Sequence, residues 1–225
     1  MSALLSYYQS ILPKLWAGTL VTLQLSFWAL LIGFAIGLPM ALARIYGRGL
    51  LKALAIAYIE LLRGSPLVVQ LLLIYYGLPQ LGIVIPGTTS AIIALGLNSA
   101  AYQAEYYRGA ILAVSEGQMM AARALGMSRL QAIRHIVLPQ ALRLVLPALS
   151  NEVAYMLKYS SVAFLIAVKE LTAMGKIAIG RSYKARETWL LVAVFYIILV
   201  NGAARLMQYV ERKFKIPGLQ MEEVH

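Results

Sequence analysis

The side chains able to do chemistry in this chain are few, and they sit inside apolar stretches. Glu152 and Lys158 are charged residues within one such stretch, together with Asn151, Ser160 and Ser161. A second stretch carries Asn98, Gln103, Glu105 and Arg108. At membrane depth such groups are costly unless they face a bundle interior or an aqueous cavity. A carboxylate can accept an ammonium while amides and hydroxyls orient the rest of a small polar molecule, so Asn98, Gln103, Glu105, Asn151, Glu152, Ser160 and Ser161 are the expected binding residues. Two of them carry a second reading. Glu152 either accepts a ligand cation or pairs with a neighbour such as Lys158 to lock the bundle. Glu105, seven residues after Asn98 and on the same helix face, either joins the binding set or pairs with Arg108 three residues on.

Covalent chemistry lacks its parts. The chain has no cysteine, which removes disulfides, thiol catalysis and cysteine metal sites. It has no aspartate, which removes aspartyl intermediates, paired-aspartate proteolysis and an aspartate Mg²⁺ clamp. The two histidines, His135 and His225, are far apart and belong to no ligand pattern, so no metal is expected. No G-x-x-x-x-G-K-[ST] occurs, so any ATP must be bound by another subunit, and no cofactor is expected. An intramembrane enzyme built on Glu105 or Glu152 would want a second matched acid, a nucleophile or a metal ligand. A membrane scaffold for an ATPase is a third class.

The elements that must position these residues follow from composition. Hydrophobic residues make up 61% of the 225 positions and charged residues 13%, outside the range of soluble domains. The expected architecture is an all-α integral membrane protein, one domain over residues 1–225, with five spans at about residues 17–43, 53–81, 89–114, 139–168 and 189–210. Residues 1–15 read as a weakly amphipathic lead with Tyr7, Tyr8 and Trp16 at an interface. Span one contains Gly33 and Gly37 in a G-x-x-x-G that permits close helix contact. Span two is interrupted by Arg63-Gly64-Ser65-Pro66, where proline removes a donor and biases Ser65 away from helix. Span four is expected to start at Pro139. The formal charge of +11 comes from cations that mostly flank apolar spans, which points to membrane topology and lipid, not to nucleic acid. Arg44, Arg48 and Lys52 after span one, and the basic run ending at Lys215, place the N-terminus outside and the C-terminus in the cytoplasm. Residues 169–188 are then external, although they carry Lys176, Arg181, Lys184 and Arg186. The N-terminus has neither a charged n-region nor a small-residue cleavage site, so no removed signal peptide is expected.

The long polar break at about residues 115–143 reads as a helix-turn-helix elbow. Ser115 with Gln118 and Ser128 with Gln131 each have capping-box spacing, and Gly126 between them can end the first arm in the left-handed conformation. Met119, Met120, Ala121, Ala122, Ala124 and Leu125 form one surface, and Leu130, Ile133, Ile136 and Val137 recur on the second arm. Such an arm can lie in another protein's groove.

Ala121-Ala122, Gly126 and Ile136-Val137-Leu138-Pro139 together resemble the EAA loop of the membrane subunits of bacterial and archaeal ATP-binding-cassette importers, with Met120 standing where the family has its leading glutamate. Arg63-Gly64-Ser65-Pro66-Leu67-Val68-Val69-Gln70, Ala101-Tyr102-Gln103-Ala104-Glu105-Tyr106-Tyr107-Arg108-Gly109 and Leu138-Pro139-Gln140-Ala141 resemble the polar amino acid permease group. Tyr159 stands where that group commonly has Asp or Asn before its Ser/Thr-Ser pair. The resemblance implies a five-helix importer core and a permease subunit that carries a polar amino acid across the cytoplasmic membrane. It implies as partners a second permease subunit, identical or a close paralogue, an ATPase dimer, and an extracytoplasmic binding protein. It also implies that Glu116, Met120, Ala121, Ala122, Arg123, Leu125, Gly126 and Met127 dock the ATPase.

Overall fold

The computed structural model describes residues 2–214, which are helical with short connections and contain no strand. Lys215 and His225 lie outside the described residues. Helix α1 runs unbroken over Ser2–Tyr46, so the expected lead and the first span are one element. The helix runs through Pro13 without a break, and the hydroxyls of Thr19 and Ser26 bond back to the Leu15 and Thr22 carbonyls, which removes their demand for water.

The second span is broken, as its proline requires. Helix α2 covers Gly49–Gly64 and ends at Ser65, which is extended at φ −116° and ψ 146°. Helix α3 restarts at Leu67–Leu72 and continues through a π turn, Leu73–Gly77, and a 3₁₀ turn, Leu78–Leu81. The two halves meet at 105°. Gly82, at φ 79°, turns the chain toward helix α4, Gly87–Ala113.

Helix α4 is the buried centre. Ala91, Ala100, Ala101 and Ala104 have no exposed surface, and α1 lies along it. Small residues allow that approach: a Cβ on Gly33 would fall 2.1 Å from the Gln103 amide nitrogen, and one on Gly37 would fall 3.0 Å from the Ala100 carbonyl. The expected G-x-x-x-G contact is therefore made.

The elbow forms as two capped arms. Helix α5 covers Glu116–Ala124, and its cap is a single bond, from Gly117 N–H to the Ser115 hydroxyl, with no reciprocal bond from Gln118. Gly126 takes φ 85°, and Ser128 and Gln131 close a full capping box on helix α6, Arg129–Ala132. From there the chain continues through a π turn, Ile133–Val137, into helix α7, Leu138–Leu144. Pro139 thus lies inside a helical run and does not begin one; the wider π turn just before it gives room for a ring that lacks a donor. After a 51° bend at Val145 comes helix α8, Leu146–Tyr159, extended by a 3₁₀ segment, Ser160–Ile166. Helix α9 covers Leu171–Ser182 and helix α10 covers Ala185–Phe214. Leu171 and Ala178 of α9 pack with Tyr7, Ile11 and Leu15 of α1, so α9 sits at the opposite end of α1 from the elbow.

Two helical stretches, Leu4–Tyr46 and Ala185–Phe214, are long and apolar enough to cross a membrane, and the bent pairs Gly49–Gly64 with Leu67–Leu81 and Arg129–Leu144 with Leu146–Ile166 qualify if each is one span. Helix α4 has the length, 27 residues or roughly 40 Å. It is not among them, because its faces carry Ala, Gly, Ser, Asn and Gln where a lipid-facing helix carries Leu.

Gly33→Ala should force the Gln103 amide from its place and cost about 1–3 kcal/mol of bundle stability. The measurement is the thermal midpoint of the detergent-solubilised chain against Gly202→Ala, where a Cβ meets nothing within the chain. Equal midpoints would contradict the close α1–α4 contact.

Candidate functional site

Two stripes of polar residues run along α4, and each is answered by a different neighbour. Ser99, Gln103 and Tyr106, at helical spacing, form the first. The Ser99 hydroxyl donates to Glu152 Oε1 at 2.7 Å, and the Tyr106 hydroxyl donates to Glu152 Oε2 at 3.2 Å. The Gln103 amide donates to Ser99 Oγ at 3.1 Å and to the Leu30 carbonyl at 3.4 Å, while Tyr107 donates to Gln103 Oε1 at 3.2 Å. Glu152 is only 3% exposed and makes no ion pair among the described residues. All of its partners are neutral donors, which suit a carboxylate acting only as acceptor.

The expected alternative, a Glu152–Lys158 pair, is not formed. Six residues separate the two on one helix, about 240° around its axis, so they face apart. The Lys158 ammonium lies 4.5 Å from the centre of the Tyr155 ring, and Tyr155 stacks on Tyr159 at 5.8 Å and 13°. Asn151, Tyr155, Lys158 and Tyr159 are exposed along α8, whereas Ser160 is buried with its hydroxyl turned to the Leu157 carbonyl. The Ser161 hydroxyl likewise bonds the Lys158 carbonyl. The face of α8 beside Glu152 is therefore polar, aromatic and uncovered.

The second stripe, Asn98, Tyr102 and Glu105, faces the break between α2 and α3. Asn98 donates to the Leu62 carbonyl at 3.3 Å and to Gln70 Oε1 at 3.1 Å. Gln70 in turn donates to the Leu62 carbonyl at 2.8 Å, the Ser65 carbonyl at 3.1 Å and Ser65 Oγ at 2.9 Å. These amides answer carbonyls that Pro66 leaves without a helical donor. The Arg63 guanidinium lies over the Tyr102 ring at 5.4 Å. Glu105 gathers three arginines: Arg108 at 2.9 Å, Arg44 at 3.1 Å and Arg63 at 3.7 Å. Arg44 also meets Glu60 at 3.0 Å. Of the expected binding set, then, Gln103 and Glu152 come together with Ser99, Asn98 braces the broken helix, Glu105 ties the ends of α1, α2 and α4, and Asn151 stands on the open face.

On the elbow, Met120, Leu125 and Leu130 are exposed by 66%, 82% and 74%. Glu116, Ala121, Arg123 and Gly126 are exposed with them, Met127 is half-buried and Ala122 is buried. The Arg123 guanidinium holds the turn through the Met127 carbonyl at 2.9 Å. Ile133 and Val137 point inward, so the outer surface is a small apolar knob on a rigid base.

Sequence reasoning gave no role to Ser99, Tyr106, Gln70 or Glu170. Ser99, Gln103 and Tyr106 are spaced four and three apart, and a helical projection of α4 groups them. Glu170, fully buried, caps α9 by accepting from Thr172 N–H at 2.8 Å and Ala173 N–H at 2.7 Å, and accepts from the Tyr196 hydroxyl at 3.0 Å. Burial pushes its carboxyl above the usual range, and those donors pull it back. No local pattern marks it, since glutamate is not a favoured cap. Among the described residues no three metal-ligating groups cluster.

The model of the family described as binding-protein-dependent transport system inner membrane component matches residues 33–216. The glutamine transport system permease protein of Escherichia coli is 39% identical over 207 residues, covering 91% of this chain and 94% of its own length. The nopaline transport system permease protein of Agrobacterium fabrum is 40% identical over 209 residues, covering 88% and 87%. Among solved structures, an amino acid ABC transporter crystallised with histidines matches at a TM-score of 0.87 and 40% identity, covering 93% of this chain and 97% of that one. The inward-facing methionine ABC transporter MetNI shares the fold at a TM-score of 0.74 and 23% identity, covering 93% and 98%.

Glu105→Gln removes the carboxylate that Arg44, Arg63 and Arg108 share. The thermal midpoint should fall by the equivalent of about 1–2 kcal/mol, less than for a fully buried pair because the arginine side chains are 22–37% exposed. Arg44→Gln added to it should recover part of the loss, and an unchanged midpoint in the single variant would show that the cluster holds nothing.

Proposed function

Because the chain belongs to the family of binding-protein-dependent transport system inner membrane components and its relatives are amino acid permeases, we propose that it is the permease subunit of an ATP-binding-cassette importer for a polar amino acid. The observation that carries the polar substrate is Glu152, a buried carboxylate held by neutral donors, with no cation of its own, beside an uncovered polar face. A zwitterion crossing a low-dielectric interior needs an acceptor for its ammonium and donors for its carboxylate. Glu152 supplies the acceptor. Asn151 and the tyrosines of α8 lie on the helix that would supply the rest, whereas the Ser160 and Ser161 hydroxyls already donate to backbone carbonyls.

The uncovered face of α8 also supports a second permease subunit. A lysine and an asparagine turned to lipid are expensive, whereas α10 shows lipid the residues that lipid favours: Leu190, Ile197, Ile198 and Leu206. A second copy or close paralogue set against α8 would enclose a path between them. Energy comes from a separate ATPase dimer that binds the ATP and docks on Met120, Leu125 and the rest of the elbow surface. An external binding protein delivers the substrate at the α9 end. With α4 counted as a crossing, the five spans put the N-terminus outside and the C-terminus in the cytoplasm, in agreement with the arginines at the elbow end of α1, α2 and α4.

The test is co-reconstitution of the chain with its ATPase and binding protein in proteoliposomes, screening L-glutamine, L-arginine and L-histidine for stimulated ATP hydrolysis and uptake. One or more should accumulate only with ATP. Glu152→Gln keeps the shape and drops the charge, so uptake should fall about tenfold or more, as loss of a charge-assisted hydrogen bond implies, with assembly and basal hydrolysis retained. Normal uptake by this variant would remove Glu152 from the site and leave the exposed face of α8 and the binding protein as sources of selectivity.

A further inference from the structure

The two oxygens of the Glu152 carboxylate are not alike. Oε1 is closed off: its donor, Ser99, has no exposed surface and is fixed from behind by Gln103, which is itself 2% exposed and held by the Leu30 carbonyl and the Tyr107 hydroxyl. Oε2 has one donor, the hydroxyl of Tyr106, at 3.2 Å. That is long for an O–H···O bond to a carboxylate, where about 2.5–2.7 Å is usual. Tyr106 is only half-buried. Of the two donors to Glu152, Tyr106 is the more accessible.

We propose that Tyr106 is a movable cap on Glu152, its hydroxyl holding the place that the ammonium of the transported amino acid takes. The proposal rests on the reading of Glu152 as the ammonium acceptor. An empty site with a bare carboxylate would leave a buried acceptor unsatisfied, at about 1–3 kcal/mol. The phenol prevents that while the site is empty. An incoming ammonium replaces a long neutral hydrogen bond with a charge-assisted one about twice as strong, so the exchange favours the ligand. A solute without a cation gains nothing by displacing the ring and is rejected. Rotation of one side chain opens and closes the site, and the backbone of α4, packed against Gly33 and Gly37, stays in place. Tyr106 is thus a specificity-determining residue as well as a structural one.

The test is equilibrium binding of radiolabelled L-glutamine and L-arginine, which share the α-ammonium, to the purified permease–ATPase complex without binding protein. Tyr106→Phe keeps the ring and removes the competing hydroxyl, so Kd should fall by about three- to tenfold, the worth of one neutral hydrogen bond. Ser99→Ala removes the other hydrogen bond to the same carboxylate and should not tighten binding. A purely structural role for both donors would move the two variants in the same direction. If Tyr106→Phe assembles poorly, Tyr106→Leu is measured against the same criteria. Kd unchanged or raised in the Tyr106 variant, while Glu152→Gln loses binding, would overturn the cap and leave the acceptor standing. Wild-type binding by Glu152→Gln would remove the acceptor and the cap with it.

Discussion

Inside a bilayer a polar atom has no water to turn to, and the arrangement of this chain follows from how α4 meets that constraint. Its two polar stripes are each satisfied by a different part of the bundle. Asn98 and Glu105 look to the end of α2, where Pro66 has freed backbone carbonyls and where arginines gather. Ser99 and Tyr106 look to Glu152 on α8. Between them Gln103 reaches the α1 backbone across the gap left by Gly33. Small residues bring the helices close enough for these bonds, and the bonds are what keep so polar a helix at the centre of an apolar protein.

The same arrangement links the site to the elbow. From the capping box at Ser128 the chain runs through α6, α7 and α8 with one π turn and one bend, and Glu152 lies on the last of these. A push on the elbow reaches the helix that carries the carboxylate without crossing a flexible loop. The Ser150 hydroxyl also bonds Glu211, so α10 is attached to that helix two residues before Glu152 and on another of its faces. In the proposed importer this is how hydrolysis by a partner would alter the surroundings of a substrate held at Glu152.

Much of this was legible in the sequence because the physics is local. A proline after Arg63-Gly64-Ser65 had to interrupt a helix, Gly126 had to take positive φ between two capped arms, and Gly33 with Gly37 had to lie against something. The families of residues around Glu105 and Glu152 were recognisable as polar groups that required partners. Which partners they chose was not legible, because that depends on how helices distant in sequence are turned. Glu105 had Arg108 within reach, yet it also draws Arg44 and Arg63 from two other helices. Lys158 was the nearest cation to Glu152 in sequence and lies on another face of its helix. Pro139 looked like a helix start because a π turn, invisible to spacing rules, lets the helix run through it. Glu170 went unnoticed because its role as a cap shows only once α9 is in place.

The central claim is that the uncovered polar face of α8 lines a water-filled path, in contrast to the apolar face that α10 turns to lipid. The chain contains no cysteine, so single cysteines can be read without background. The measurement is labelling of Asn151→Cys, Tyr155→Cys, Leu190→Cys and Ile198→Cys by a charged, membrane-impermeant thiol reagent in proteoliposomes containing the ATPase. The account predicts labelling at positions 151 and 155, slowed by the transported amino acid, and none at 190 and 198. Labelling at 151 and 155 no faster than at the α10 positions would contradict it.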